Sequence, residues 1–131
     1  NCYKGTTCIK NVWIPRNAAW AGIMWQEPEN NWGNIKDGGY NLTGATKITF
    51  WARGEKGGEP VDFIVGGIKG KYPDTIQPTI HTGRIYLTRQ WKRYTIDLRG
   101  YDLSKVIGLF GWVTSIDPIF YLDEIKYDKA R

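Results

Sequence analysis

No segment of a dozen residues in this chain keeps apolar side chains at the three-and-four spacing of a helix, whereas alternating and β-branched runs recur throughout. That pattern restricts the chain to an all-β fold. Candidate strands cover 7–14, 19–26, 47–53, 61–67, 84–88, 93–98, 106–114 and 119–127. Turn signals fall between them at Gly38-Gly39, 54–58, Gly66-Gly67, Arg99-Gly100 and Asp117-Pro118. About eight strands at this spacing predict two packed antiparallel sheets, and the expected closed form is a jelly-roll β-sandwich. With 131 residues and one such set of strands, residues 1–131 are expected to form a single domain.

Alternation assigns faces, because successive strand side chains point to opposite sides. Ile48, Phe50 and Ala52 are expected inward and Thr49, Trp51 and Arg53 outward. Val61, Phe63 and Val65 read inward with Asp62 outward, as do Tyr94, Ile96 and Leu98 with Thr95 and Asp97 outward. In the last strand Phe120 and Leu122 oppose Tyr121 and Asp123. The longest connection, 66–83, carries the only histidine, His81, and its length marks it as functional.

Seven tryptophans are the strong compositional excess, and several sit in polar surroundings where a core ring is not expected. Trp25 and Trp32 bracket the stretch WQEPENNW. An indole offers a large rigid face with a polar edge. The apolar C–H face of a pyranose fits such a surface, and its hydroxyls then need partners such as Gln26, Glu27, Asn30 and Asn31. Sugar recognition is therefore the first functional expectation. Trp25, Trp32, Tyr72 and Trp112 are the expected ligand rings, and Gln26, Asn31 and Asp74 the expected hydrogen-bonding groups. Trp20 and Trp25 lie on opposite faces of one strand, and Trp25 is favoured because it leads into the polar loop. Trp91 reads as packing and Trp51 as ambiguous.

Other chemistries are weakly supported. The net charge of +5 comes from scattered basic residues that alternate with acids and apolars, a solvated face rather than a phosphate track, so nucleic-acid binding is not expected. No apolar run reaches the roughly 18 residues of a membrane-spanning helix, and no membrane partner is expected. The only serines are Ser104 and Ser115, and neither lies in a nucleophile elbow. One His and two Cys do not make a transition-metal site. Two carboxylates could serve a glycosidase if held roughly 5 to 10 Å apart. Glu27, Glu29, Asp37, Asp62, Asp74, Asp97, Asp123 and Glu124 are available, but none lies in an acid–base motif. Asp123 and Glu124 could supply oxygens to a calcium ion; the alternative is a solvated acidic pair. Cys2 and Cys8 enclose five residues and either bridge, in an oxidising compartment, or remain two thiols. The chain opens at Asn1, which fits a mature or excised fragment.

Together, WAGIMWQEPENNWG, GGYNLTGATKITFWARGEKGGEPVDFIVGGI, GKYPD, LTRQWKRYTIDLRGYDLSKVIGLFGWVTS and IFYLDEI resemble the jelly-roll carbohydrate-binding modules of the galactose-binding-like superfamily, over 7–127. Such modules are found attached to, or near, bacterial glycoside hydrolases. The resemblance implies a groove on one sheet or in the loops at its edge, favours Trp25, Trp32 and Trp112 as groove rings, and implies a structural calcium near Asp123. Related domains carry a further N-terminal segment before the strand containing Cys8, and this chain starts almost at that strand. The expectation is a secreted, monomeric, non-catalytic module that binds a plant polysaccharide, a β-glucan or xyloglucan, and targets a partner glycoside hydrolase. The rivals are a small glycan-cleaving β-sandwich enzyme and an adhesion or nucleic-acid-binding sandwich.

Overall fold

The computed structural model describes residues 2–13, 20–115 and 118–129 of the 131-residue chain. Ile14 and Ala19, expected at strand ends, and Asp117, expected in a turn, lie outside the described residues. Eight strands are present among them: β1 (Ile9–Val12), β2 (Ala21–Gln26), β3 (Ala45–Gly54), β4 (Pro60–Val65), β5 (Ile80–Tyr86), β6 (Lys92–Asp97), β7 (Gly108–Thr114) and β8 (Ile119–Lys129). They form two four-stranded antiparallel sheets, ordered β1-β8-β3-β6 and β2-β7-β4-β5. Consecutive strands cross repeatedly between the sheets, and this order is that of a jelly-roll sandwich.

Period-two patterning decides which side of each strand is buried. Ile48, Phe50 and Ala52 of β3, Val61, Phe63 and Val65 of β4, and Phe120 and Leu122 of β8 are all buried in one core, as alternation predicts. Phe63 sits at its centre. Its ring lies 4.6 Å from Phe50 and 6.4 Å from Phe120 of the first sheet, and 5.7 Å from Phe110 of its own. These are offset and edge-on geometries favoured by aromatic quadrupoles.

One strand begins earlier than its sequence indicates. β5 starts at Ile80, not near Arg84, so His81 stands on a strand and the long connection ends at Thr79. Gly83 has the signature of a turn, yet here it serves a bulge: with φ of +76° it absorbs the register shift between Asp62 and Ile64 of β4. Thr82 adds a side-chain tie, accepting the Phe63 N–H at 3.1 Å.

The two cysteines are bridged, and the loop they close lays Tyr3 flat on Trp51 of β3 with ring centroids 3.7 Å apart. Trp51 therefore faces outward, covered by the chain's own N-terminal loop.

Truncating the central ring removes contacts to both sheets at once. Phe63→Ala is expected to lower unfolding free energy by about 3–5 kcal/mol, and Phe63→Leu by clearly less, in urea denaturation followed by tryptophan fluorescence.

Candidate functional site

The outer face of the β2-β7-β4-β5 sheet can be read as two rows of paired residues. One runs Gly22, Val113, Asp62, Arg84; the other Met24, Gly111, Ile64, His81. The β2 and β7 positions and Ile64 of β4 are apolar, whereas Asp62, His81 and Arg84 make the β4 and β5 side polar. Trp20, immediately before β2, shares the outward parity of Gly22 and Met24. A Cβ on Gly22 would lie 3.5 Å from Trp20 Cζ3, so the indole extends along the bare backbone there. Gly111 keeps the neighbouring floor flat, since a Cβ on it would come within 2.4 Å of the Ile23 carbonyl oxygen.

A second tryptophan reaches the same face from the 27–40 loop. Asn31 shapes that loop, donating from Nδ2 to the Glu27 carbonyl at 2.9 Å and accepting the Gly33 N–H at 3.0 Å. Gly33 then presses against the next loop. Its φ is +88°, a Cβ would fall 1.8 Å from the Lys69 carbonyl oxygen, and its own carbonyl accepts the Tyr72 N–H at 2.8 Å. Only glycine permits that approach. Trp32 is thereby held beside Lys69 and Gly70.

Trp20 and Trp32 are 63 % and 62 % exposed and line one groove of about 730 Å³, whose floor includes Met24, Ile64 and Val113. That volume lies within the range of small-molecule sites. Trp20 and Val113 also border a smaller recess of about 230 Å³ with Asp62, Arg84 and Ser115. On this polar side His81 Nδ1 is 2.7 Å from Asp62 Oδ2. The other large cleft, about 610 Å³, lies on the opposite sheet. Several of its polar groups already serve one another: Thr49 donates to Asp128 at 2.9 Å, and Lys126 stands 3.8 Å from Glu124.

Of the residues expected to touch ligand, only Trp32 lies in this groove by its side chain. Trp112, expected as a groove ring, points into the core and is 3 % exposed. It meets Phe120 edge-on at 5.0 Å and donates from Nε1 to Asn11 Oδ1 at 3.2 Å. Its parity with Phe110 dictates this, and Gly111 between them is the outward position. Trp25, opposite Phe110, likewise turns toward the core margin, at a ring distance of 6.0 Å. Asn31 is fully buried as the loop's internal scaffold. Asp74, 2 % exposed, accepts the backbone N–H groups of Ile76, Ile107 and Gly108 at 2.9–3.0 Å. Burial raises its carboxyl above the ordinary carboxylate range, against the pull of those three donors. Tyr72 is half-buried with Lys71 and Lys105 near its ring, at 5.6 and 5.7 Å. Gln26 is half-buried, its Nε2 enclosed without a partner. Asp123 accepts backbone N–H groups from Lys4 and Glu124.

Sequence reading passed over Trp20 in favour of Trp25. The available signal was parity: in WAGIMW, Trp20 alternates with Gly22 and Met24, while Trp25 shares its side with the residues that face Phe110 and Trp112.

Scaffold and surface roles separate in stability measurements. Trp20→Ala and Trp32→Ala should stay within about 0.5 kcal/mol of the parent in urea denaturation. Asp74→Ala, which strands three buried N–H donors, and Trp112→Ala should each lose about 3 kcal/mol or more. Compared with models of known protein families and with curated proteins, the chain finds no match among either.

Proposed function

We propose that this chain is a non-catalytic carbohydrate-binding module that adsorbs to a plant cell-wall polysaccharide, a β-glucan or xyloglucan, through the groove bordered by Trp20 and Trp32. The observation that carries the reading is the pair of exposed indoles on one apolar groove. Large apolar rings left in water beside a concave surface mark a binding site more often than a packing fault. A pyranose stacks on an indole by its C–H face, and the rows across the sheet then lead its hydroxyls toward Asp62, His81 and Arg84. Arg84 donates only, the Asp62 carboxylate accepts, and the histidine can do either, a set that matches hydroxyls of both senses. Binding by stacking needs no bond to be made or broken. Its use is to raise the concentration of an attached glycoside hydrolase at its substrate. The Cys2–Cys8 bridge supports an extracellular setting.

A second reading is favoured by one feature, the imidazole held by a carboxylate on the same outer sheet face as the groove. An oriented histidine of this kind could act as a general base in a glycan-cleaving enzyme. Release of reducing ends, abolished by His81→Ala, would establish that reading over the first.

Native affinity electrophoresis through gels of xyloglucan, mixed-linkage β-glucan, xylan or mannan tests the proposal. Retardation by a β-glucan or xyloglucan is expected. Trp20→Ala and Trp32→Ala should each weaken it about tenfold or more, by analogy with the roughly 1–3 kcal/mol lost when an aromatic platform under a base is truncated. Raising ionic strength should change it little, because the attraction is not between net charges. Free migration of the parent protein in every gel would overturn the reading.

A further inference from the structure

The resemblance places a structural calcium at Asp123, and the surroundings of that carboxylate do not fit one. Calcium takes six to eight oxygen ligands at roughly 2.3–2.6 Å. Here both carboxylate oxygens face hydrogens. Oδ2 accepts the Lys4 backbone N–H at 2.9 Å, and Oδ1 accepts the Glu124 backbone N–H at 2.9 Å. Each oxygen thus already spends one of its acceptor sites on the chain's own backbone. Among the described residues, no group of three or more His, Cys, Asp and Glu side chains is placed to hold a metal ion.

The donor to Oδ2 is not an arbitrary neighbour. Lys4 belongs to the loop closed by the Cys2–Cys8 bridge. Tyr3, beside it, stacks on Trp51 at 3.7 Å and meets Trp91 edge-on at 6.2 Å. Trp51 of β3 and Asp123 of β8 are direct cross-strand partners. Two consecutive loop residues therefore grip both members of one ladder pair, Tyr3 by its ring and Lys4 by its N–H. The backbone of Glu124, at φ of +51°, turns its N–H back onto the Asp123 side chain.

We infer that the Cys2–Cys8 loop is a metal-free clamp on the β3–β8 pair, doing at Asp123 what a cation would do, so that this end of the sandwich is held by a disulfide and not by calcium. The clamp gives the carboxylate N–H donors as hydrogen-bond partners and fastens the N-terminal segment to the sheet. Its sensitivity is to reductant: a dithiol such as dithiothreitol supplies two electrons and two protons, giving two cysteine thiols and its own cyclic disulfide. Without the bridge, nothing covalent keeps Tyr3 and Lys4 on their partners. This inference is independent of what the groove on the other sheet binds.

Thermal unfolding of the chain distinguishes the two fasteners. The oxidised protein should give the same Tm in millimolar calcium chloride and in EDTA. Dithiothreitol, or the double substitution Cys2→Ser with Cys8→Ser, should lower Tm by roughly 5–10 °C in both solutions. Lys4→Pro, which removes the N–H that reaches Asp123, should also lower Tm with the bridge intact. If the double variant does not fold, reduction of the folded wild-type chain at 25 °C supplies the comparison, read by the change in tryptophan emission as Tyr3 leaves Trp51. A Tm several degrees higher in calcium than in EDTA, or a Tm and emission unchanged by dithiothreitol, would overturn the inference.

Discussion

The architecture turns on the register of Phe63. This one ring, buried between the sheets, meets Phe50 and Phe120 across the sandwich and Phe110 beside it. A slip of β4 by one residue would carry Asp62 or Ile64 into the core and put Phe63 in water, a penalty that fixes the pairing. The same constraint composes the outer surface. With Phe63 inward, Asp62 and Ile64 must face outward, the first opposite Arg84 and the second opposite His81. The placing of Ile64 in the groove floor and of Asp62 beside it on the same sheet face follows from the packing of a core residue beneath them.

Much of this was legible from alternation. Strand count, sheet class and the inward residues of β3, β4, β6 and β8 follow from period two and the positions of glycine and proline. The failures have a common cause. Composition around a residue was weighed above its parity, so Trp112, flanked by glycine and polar residues, read as surface although it shares a side with Phe110. The polar run between Trp25 and Trp32 read as ligand-binding, whereas Asn31 spends its hydrogen bonds on shaping its own loop. Asp74 does the same for two loops at once. Buried loop backbone must find partners, and short polar side chains supply them. Sequence does not distinguish an amide aimed at a sugar from one aimed at a carbonyl four residues away. The start of β5 is not legible because Gly83 interrupts the strand's alternation with a bulge that only its partner strand reveals.

The two outer faces show why the groove, and not the aromatic surface opposite, is the site. On the β1-β8-β3-β6 sheet the outward rings Trp51 and Tyr121 have acquired internal partners. Trp51 lies under Tyr3, and Arg53 sits 4.1 Å over Tyr121, whose hydroxyl donates to Glu55. Such contacts recover part of the free energy that a large ring forgoes in water. On the other sheet, Trp20 and Trp32 remain mostly exposed, and the glycines near them, Gly22, Gly33 and Gly111, let backbone and rings approach one another closely. Other large side chains are exposed as well, Tyr86 by 62 % and Tyr40 by 50 %, but Trp20 and Trp32 border one apolar groove together. Exposed indoles gathered on a shared concave surface are a departure from core packing of the kind expected where a surface is shaped for something outside the chain.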